Sequence, residues 1–228
     1  MARTQRIAHL LALVTTAGLG LAAVLGVFAH VDSDPGLSPV SVTISDYAVS
    51  DRGGAMDVAI LLLAVASATL IAGLRAVSAH LRGWPTALLT AWVVGLLICV
   101  VVPTDPVGAP ETTTAGYIHR YASGLAFISL PAAATMLATR FTRDHRWAGA
   151  VAGVRRLVVA SGAGAVALFY LAFFGGRVMV GLVERVLVIA EVGLVTALAL
   201  ALLKVTTAPA TPVAPAAQRA LAGQLSRQ

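Results

Sequence analysis

Charge is scarce in this chain of 228 residues: Asp, Glu, Lys and Arg make up 11% of it, against about a quarter in a soluble domain. That shortage excludes an ordinary water-soluble fold of this length. A single cysteine, Cys99, excludes an internal disulfide. It lies inside an apolar block with no cation beside it, the setting of a small packing residue rather than a reactive thiol. The five histidines never fall in an H-x-x-x-H or H-E-x-x-H spacing, so the helical zinc signatures are missing and no metal is expected. Lysine is nearly absent too, with Lys204 alone against fifteen arginines. With the Ala-, Val- and Gly-rich composition, that bias suggests a GC-rich bacterial genome.

What is present is hydrophobic residue, 58% of the chain, gathered into blocks long enough to cross about 30 Å of hydrocarbon at 1.5 Å per residue. The blocks predict an all-α, polytopic integral membrane protein, a bundle of six transmembrane helices over roughly 7–29, 55–79, 85–102, 117–139, 156–175 and 178–203. The first apolar run, of about 23 residues, exceeds the 7–15 of a signal-peptide core, so it is expected to stay as a span. Residues 1–6 form a short N-terminal segment, 7–203 the membrane domain, and the Pro/Ala-rich residues 204–228 a disordered tail.

Twelve of the sixteen Lys and Arg fall on the side of the two termini, which places both termini in the cytoplasm. The protein is therefore expected in the inner (plasma) membrane as a multi-pass protein. Topology accounts for the net charge of +6, and no nucleic-acid partner is needed. The acids do the reverse. Asp32, Asp34, Asp46, Asp51, Asp57, Asp105, Glu111 and Glu184 gather toward the outer end, and Asp144 alone is clearly inside. Acids contribute little to insertion, so this skew points to the outer end as the working end.

The long outer connection, 30–54, exceeds a plain turn. Val40, Val42 and Ile44 alternate with polar residues there, so part of it is expected to be extended and packed over the helix ends. Ser45-Asp46 suits an Asx or Ser turn, and Asp51 or Asp57 suits the start of the second span. In the last span, G-L-V-E-R-V-L-V-I-A-E-V-G puts Glu184 and Glu191 seven apart on one helix face. Glu191 lies well inside the hydrocarbon, where an acid must be protonated, paired or hydrated. It is either a proton-linked or ligand-binding carboxylate, or a structural acid bonded to Ser129 or Ser67.

Glu184 and Arg185 are adjacent, hence about 100° apart on a helix, and each is expected to find a partner on another span, the alternative being an interfacial arginine that snorkels to water. Arg120 or Arg177 suits Glu184, and Asp46, Asp57 or Asp105 suits Arg185. His119 and Arg120 open the fourth span between Tyr117 and Tyr121, where aromatics serve as interface anchors. His119 there is more readily a hydrogen-bonded interface residue than a base. Asp105, between two prolines, reads first as a turn residue.

I-S-D-Y-A after the first span, Y-I-H-R at the entry to the fourth and E-R in the sixth resemble a six-span bacterial and archaeal membrane family, domain of unknown function 998. Ser45, Asp46, Tyr47, His119, Glu184 and Arg185 match its polar signature, over roughly residues 7–203. The I-S-D element is also similar, more distantly, to FRAG/DRAM-like membrane proteins linked to lipid organisation and autophagy. The resemblance implies a fold and an outward polar cluster, not a reaction.

The leading expectation is a non-enzymatic protein without cofactor that binds or organises a membrane lipid or small polar ligand. The site residues would be Ser45, Asp46, Tyr47, Asp105, His119, Arg120, Glu184, Arg185 and Glu191. Three other classes compete with it. An intramembrane hydrolase acting on a lipid would use Asp46 and His119 with Ser45 or a metal, but three protein ligands for zinc are lacking. A haem carrier is disfavoured because His30, His119, His80 and His145 sit at helix ends. A proton-coupled transporter would use Glu191, although only Pro131 interrupts a span at mid-depth. Gly149, Gly153, Gly162 and Gly164 permit close helix contacts, within the chain, in a homo-oligomer or with a partner protein.

Overall fold

The structure, a computed structural model, describes residues 3–31, 36–50, 53–77 and 81–208. Asp32, Asp34, Asp51, His80 and most of the expected tail lie outside the described residues. Seven helices form: α1 (Arg3–Val31), α2 (Ile44–Ala48), α3 (Gly54–Val77), α4 (Trp84–Val101), α5 (Thr114–Phe141), α6 (Ala148–Phe173) and α7 (Val180–Thr207). All but α2 are long and apolar enough to cross a membrane, and the described residues contain no strand. A spanning segment has no water to satisfy its amides, so it must close its hydrogen bonds within itself, which a helix does. The protein is a multi-pass, all-α membrane protein. The six expected spans are all present, each end within a few residues of its expected position except the start of α6, which lies eight residues earlier.

The spans stand in a ring in which each touches the next along the chain: α1 on α3, α3 on α4, α4 on α5, α5 on α6 and α6 on α7, with α7 returning to α1. Contacts from α7 to α3 and α5 fill the middle. At the closing seam, Gln5 Nε2 donates to the Thr206 carbonyl at 3.1 Å and His9 Nδ1 meets Thr206 Oγ1 at 3.1 Å. In the core, Trp92 Nε1 donates to Ser67 Oγ at 3.0 Å, and Ser67 Oγ donates to the Leu63 carbonyl at 2.7 Å. Ser129 Oγ donates within its own helix, to Ala126.

Gly95 lets α4 and α5 approach closely, because a Cβ there would stand 2.8 Å from the Ala122 carbonyl oxygen and 2.9 Å from Ala126 Cβ. Helix α5 runs unbroken through Pro131, as neighbouring helices and Thr side chains allow in membranes. Helix α6 is the outlier. Of its residues only Val154 and Ser161 are buried, and Gly149, Gly153 and Gly162 face open space, whereas Gly164 packs on Leu187 of α7.

Between α5 and α6, Arg146 forks onto Asp144, with Nε to Oδ1 at 3.1 Å and a terminal nitrogen to Oδ2 at 2.7 Å. This hydrogen bond raises the guanidinium pKa further, but the pair is exposed enough to add little stability. The stacked rings of Phe141 and Trp147, 4.6 Å apart, fix the corner.

Candidate functional site

One expectation for the segment before α3 is corrected. Instead of running extended through Val40, Val42 and Ile44, the chain turns at residues 38–42, where the Ser41 and Val42 amides both donate to the Ser38 carbonyl, and residues 44–48 form a short helix. Its cause is local. Thr43 Oγ1 accepts the Asp46 amide at 3.3 Å, and Asp46 Oδ2 accepts the Thr43 amide at 2.6 Å, a reciprocal capping box that starts a helix. Asp46 therefore caps the helix from its third position, accepting an amide three residues back, rather than making the expected Asx turn.

This segment lies on the first turns of α7. Leu182 N–H donates to the Val40 carbonyl at 3.1 Å, and Ile44 N–H donates to Glu184 Oε2 at 2.6 Å. The backbone comes so close that a Cβ on Gly181 would stand 2.0 Å from the Val42 carbonyl oxygen. Only glycine admits that approach.

Two polar groups form on opposite sides of α2. The first anchors the segment. Arg185 donates from Nε to His30 Nε2 at 2.8 Å and from one terminal nitrogen to the Val42 and Gly181 carbonyls at 2.8 and 2.9 Å. Its guanidinium also lies 4.9 Å from the centre of the Tyr47 ring, a cation–π contact. His30 Nδ1 lies 2.6 Å from the Gly26 carbonyl. A carbonyl can only accept, so Nδ1 carries the proton and Nε2 is free to accept from Arg185. Tyr47, buried against Ala29 and Met56, donates its hydroxyl to the Leu37 carbonyl at 3.1 Å. Arg185 thus takes carbonyls, an imidazole and an aromatic face, rather than the expected carboxylates. Likewise the Glu184 oxygen takes a backbone amide rather than Arg120 or Arg177.

The second group lines a cavity of about 470 Å³. His119, buried at the start of α5, bonds through both ring nitrogens: Nδ1 to the Val102 carbonyl at 2.7 Å and Nε2 to Ser45 Oγ at 2.8 Å. The Val102 carbonyl again fixes the proton on Nδ1, so in the neutral ring Nε2 accepts and the Ser45 hydroxyl donates. Asp46, Asp105, Arg120, Arg177 and Glu184 share this wall. Asp105 is tied to the start of α5, its two oxygens accepting from the Thr113 amide at 3.1 Å and hydroxyl at 2.6 Å. Arg120 lies over the Tyr117 ring, and Tyr117 and Tyr121, both exposed, stack at 6.4 Å as interface anchors would.

Away from these groups the cavity becomes apolar. Phe127 and Ile128 of α5 face Ala165, Leu168, Phe169 and Phe173 of α6 across it. Ile128 and Phe169 are 65% and 59% exposed, so the cleft between the two helices opens sideways, toward where lipid would lie. From Phe173 to Ala165 it runs about 12 Å along the helix at 1.5 Å per residue.

Of the nine residues expected to form a site, six line this cavity: Ser45, Asp46, Asp105, His119, Arg120 and Glu184. Tyr47 and Arg185 belong to the anchor. Glu191 lies two turns deeper on α7, fully buried, and neither of its oxygens has a hydrogen-bond partner. Its expected partners Ser67 and Ser129 are engaged elsewhere. Sequence reasoning missed the cleft walls, whose apolar residues look like any lipid-facing side chain, and it missed Thr43, although T-x-x-D is a readable capping signature. No group of three metal-binding side chains occurs among the described residues.

Neither the curated proteins nor the solved structures contain a match to this chain. A family model does match, over residues 8–201, under the description Protein of unknown function (DUF998). The chain belongs to that family, as its I-S-D-Y-A, Y-I-H-R and E-R elements suggested.

Proposed function

We propose that this DUF998 chain binds a membrane amphiphile, with the polar head under the α2 segment and the apolar chain in the cleft between α5 and α6. One observation carries the reading: a single cavity joins a wall of donors and acceptors to an apolar slot that opens sideways. A small water-soluble ligand would use the first part and leave the second unexplained. A lipid needs both, in that order along the membrane normal. The wall offers the guanidinium groups of Arg120 and Arg177 beside the carboxyl groups of Glu111 and Glu184, which suits a head bearing both donors and acceptors. The asymmetry of Lys and Arg supports an orientation with this end facing away from the cytoplasm.

The test is photocrosslinking of the full chain in nanodiscs with a phospholipid carrying a diazirine in its acyl chain. Crosslinks are expected to concentrate on residues 127–128 and 165–173. Ala165→Phe, which fills the slot, should reduce them several-fold, whereas Val159→Phe, on the exposed face of α6, should not. Crosslinks spread evenly over the outer faces of all six spans would defeat the reading.

A further inference from the structure

We propose that Ser45 and His119 form a nucleophile–base pair that cleaves a carboxylic ester of the bound amphiphile. The inference rests on the amphiphile site above and goes beyond the non-enzymatic role that the sequence favours. Three observations support it. Ser45 Oγ lies 2.8 Å from His119 Nε2, within the reach a general base needs. The opposite ring nitrogen is held by the Val102 carbonyl at 2.7 Å. That bond fixes the tautomer with Nε2 unprotonated and steadies the ring, as the orienting group of a serine–histidine site must. Finally, both residues line the same cavity as the apolar cleft, His119 standing about 12 Å along α5 before Phe127 at 1.5 Å per residue. A lipid with its chain in the cleft would carry its ester carbonyls toward this polar end, between head and chain.

The chemistry balances without a metal or a redox partner. His119 Nε2 takes the hydroxyl proton as Ser45 Oγ bonds to the ester carbon, and the carbonyl electron pair moves onto oxygen. Collapse of that intermediate breaks the carbon–alkoxide bond, and the imidazolium returns its proton to the leaving alcohol. Water then attacks the acyl-serine with His119 again as base. The acyl–Oγ bond breaks, the proton goes back to Ser45 and a carboxylic acid leaves. The guanidinium groups of Arg120 and Arg177, in the same wall, supply positive charge for the oxyanion.

The experiment uses the full chain in nanodiscs with two probes: a long-chain alkyl fluorophosphonate, which modifies activated serines, and the 4-nitrophenyl ester of a medium-chain fatty acid. The proposal expects one phosphonyl adduct, on Ser45, and ester turnover. Ser45→Ala should abolish both. His119→Gln keeps a side chain able to bond Ser45 but not to act as base, and should lower turnover about 10²–10⁴-fold, the usual worth of a general base. A melting temperature close to that of the wild type shows that the variant is folded, and the wild-type chain is crosslinked to the diazirine lipid in parallel. No Ser45 adduct and no turnover, with those crosslinks intact, would overturn the catalytic pair and spare the binding site. Loss of the crosslinks in the wild-type chain would remove both. Turnover unchanged in His119→Gln would also overturn the proposal.

Discussion

Gly181→Ala is the smallest change that should lift the α2 segment from the bundle. The new Cβ would stand 2.0 Å from the Val42 carbonyl oxygen and 2.7 Å from that of Pro39, where ordinary contact is 3.4–4 Å. The segment must therefore retreat by about 1.4 Å, or the first turn of α7 must deform. A retreat of that size breaks bonds that depend on the present distances: Leu182 N–H to Val40 at 3.1 Å, Arg185 to Val42 at 2.8 Å and Ile44 N–H to Glu184 at 2.6 Å. The neutral bond contributes about 1 kcal/mol and the bond from Arg185 about 1.5–3 kcal/mol. Deformation with the segment in place costs about 1–3 kcal/mol, as overpacking does. The cheaper route sets the outcome, so the lifted state should gain about 1–3 kcal/mol on the seated one. Since 1.4 kcal/mol is tenfold in population, amide exchange across residues 40–48 should quicken by about 5- to 150-fold, with α4 and α5 unchanged. Exchange that stays at the wild-type rate would show that the segment does not rest on α7 through this contact.

Two further substitutions probe the bundle itself. Glu191 is fully buried and its oxygens have no partner, so Glu191→Leu removes an unmet polar group without orphaning another and should raise thermal stability by about 1–3 kcal/mol. A clear loss of stability would mean that the carboxyl group binds a proton, water or ligand strongly enough to outweigh its burial. Gly95→Ala should destabilise by about 1–3 kcal/mol through overpacking against Ala122 and Ala126. An unchanged melting temperature would refute the α4–α5 contact that positions His119.

The spans were legible because the bilayer leaves a chain few choices. A long apolar run has to be a helix, and its length sets its ends. Polar side chains near the helix ends have many choices, and there the sequence says less. Arg185 could be matched with any acid at its depth, yet it is held by a carbonyl 143 positions away in sequence and by His30, 155 away. Nothing in its neighbours announces that partner. Alternation of Val40, Val42 and Ile44 suggested an extended run, but the chain turns on the Ser38 carbonyl at residues 38–42, and the side chains of Thr43 and Asp46 start a helix at Ile44. A capping box outweighs a short alternating pattern because it satisfies amides that a lone strand, without a neighbour, leaves open.

The same geometry ties the cavity to its anchor. Glu184 and Arg185 leave α7 about 100° apart, and Ser45 and Tyr47 leave α2 toward different sides. One carboxyl and one hydroxyl reach the cavity, while one guanidinium and one phenol reach α1 and the segment before α2. Arg185 holds the Val42 carbonyl, and Glu184 holds the Ile44 amide two residues on. A movement that draws Ser45 away from His119 must therefore strain the contacts of Arg185 as well.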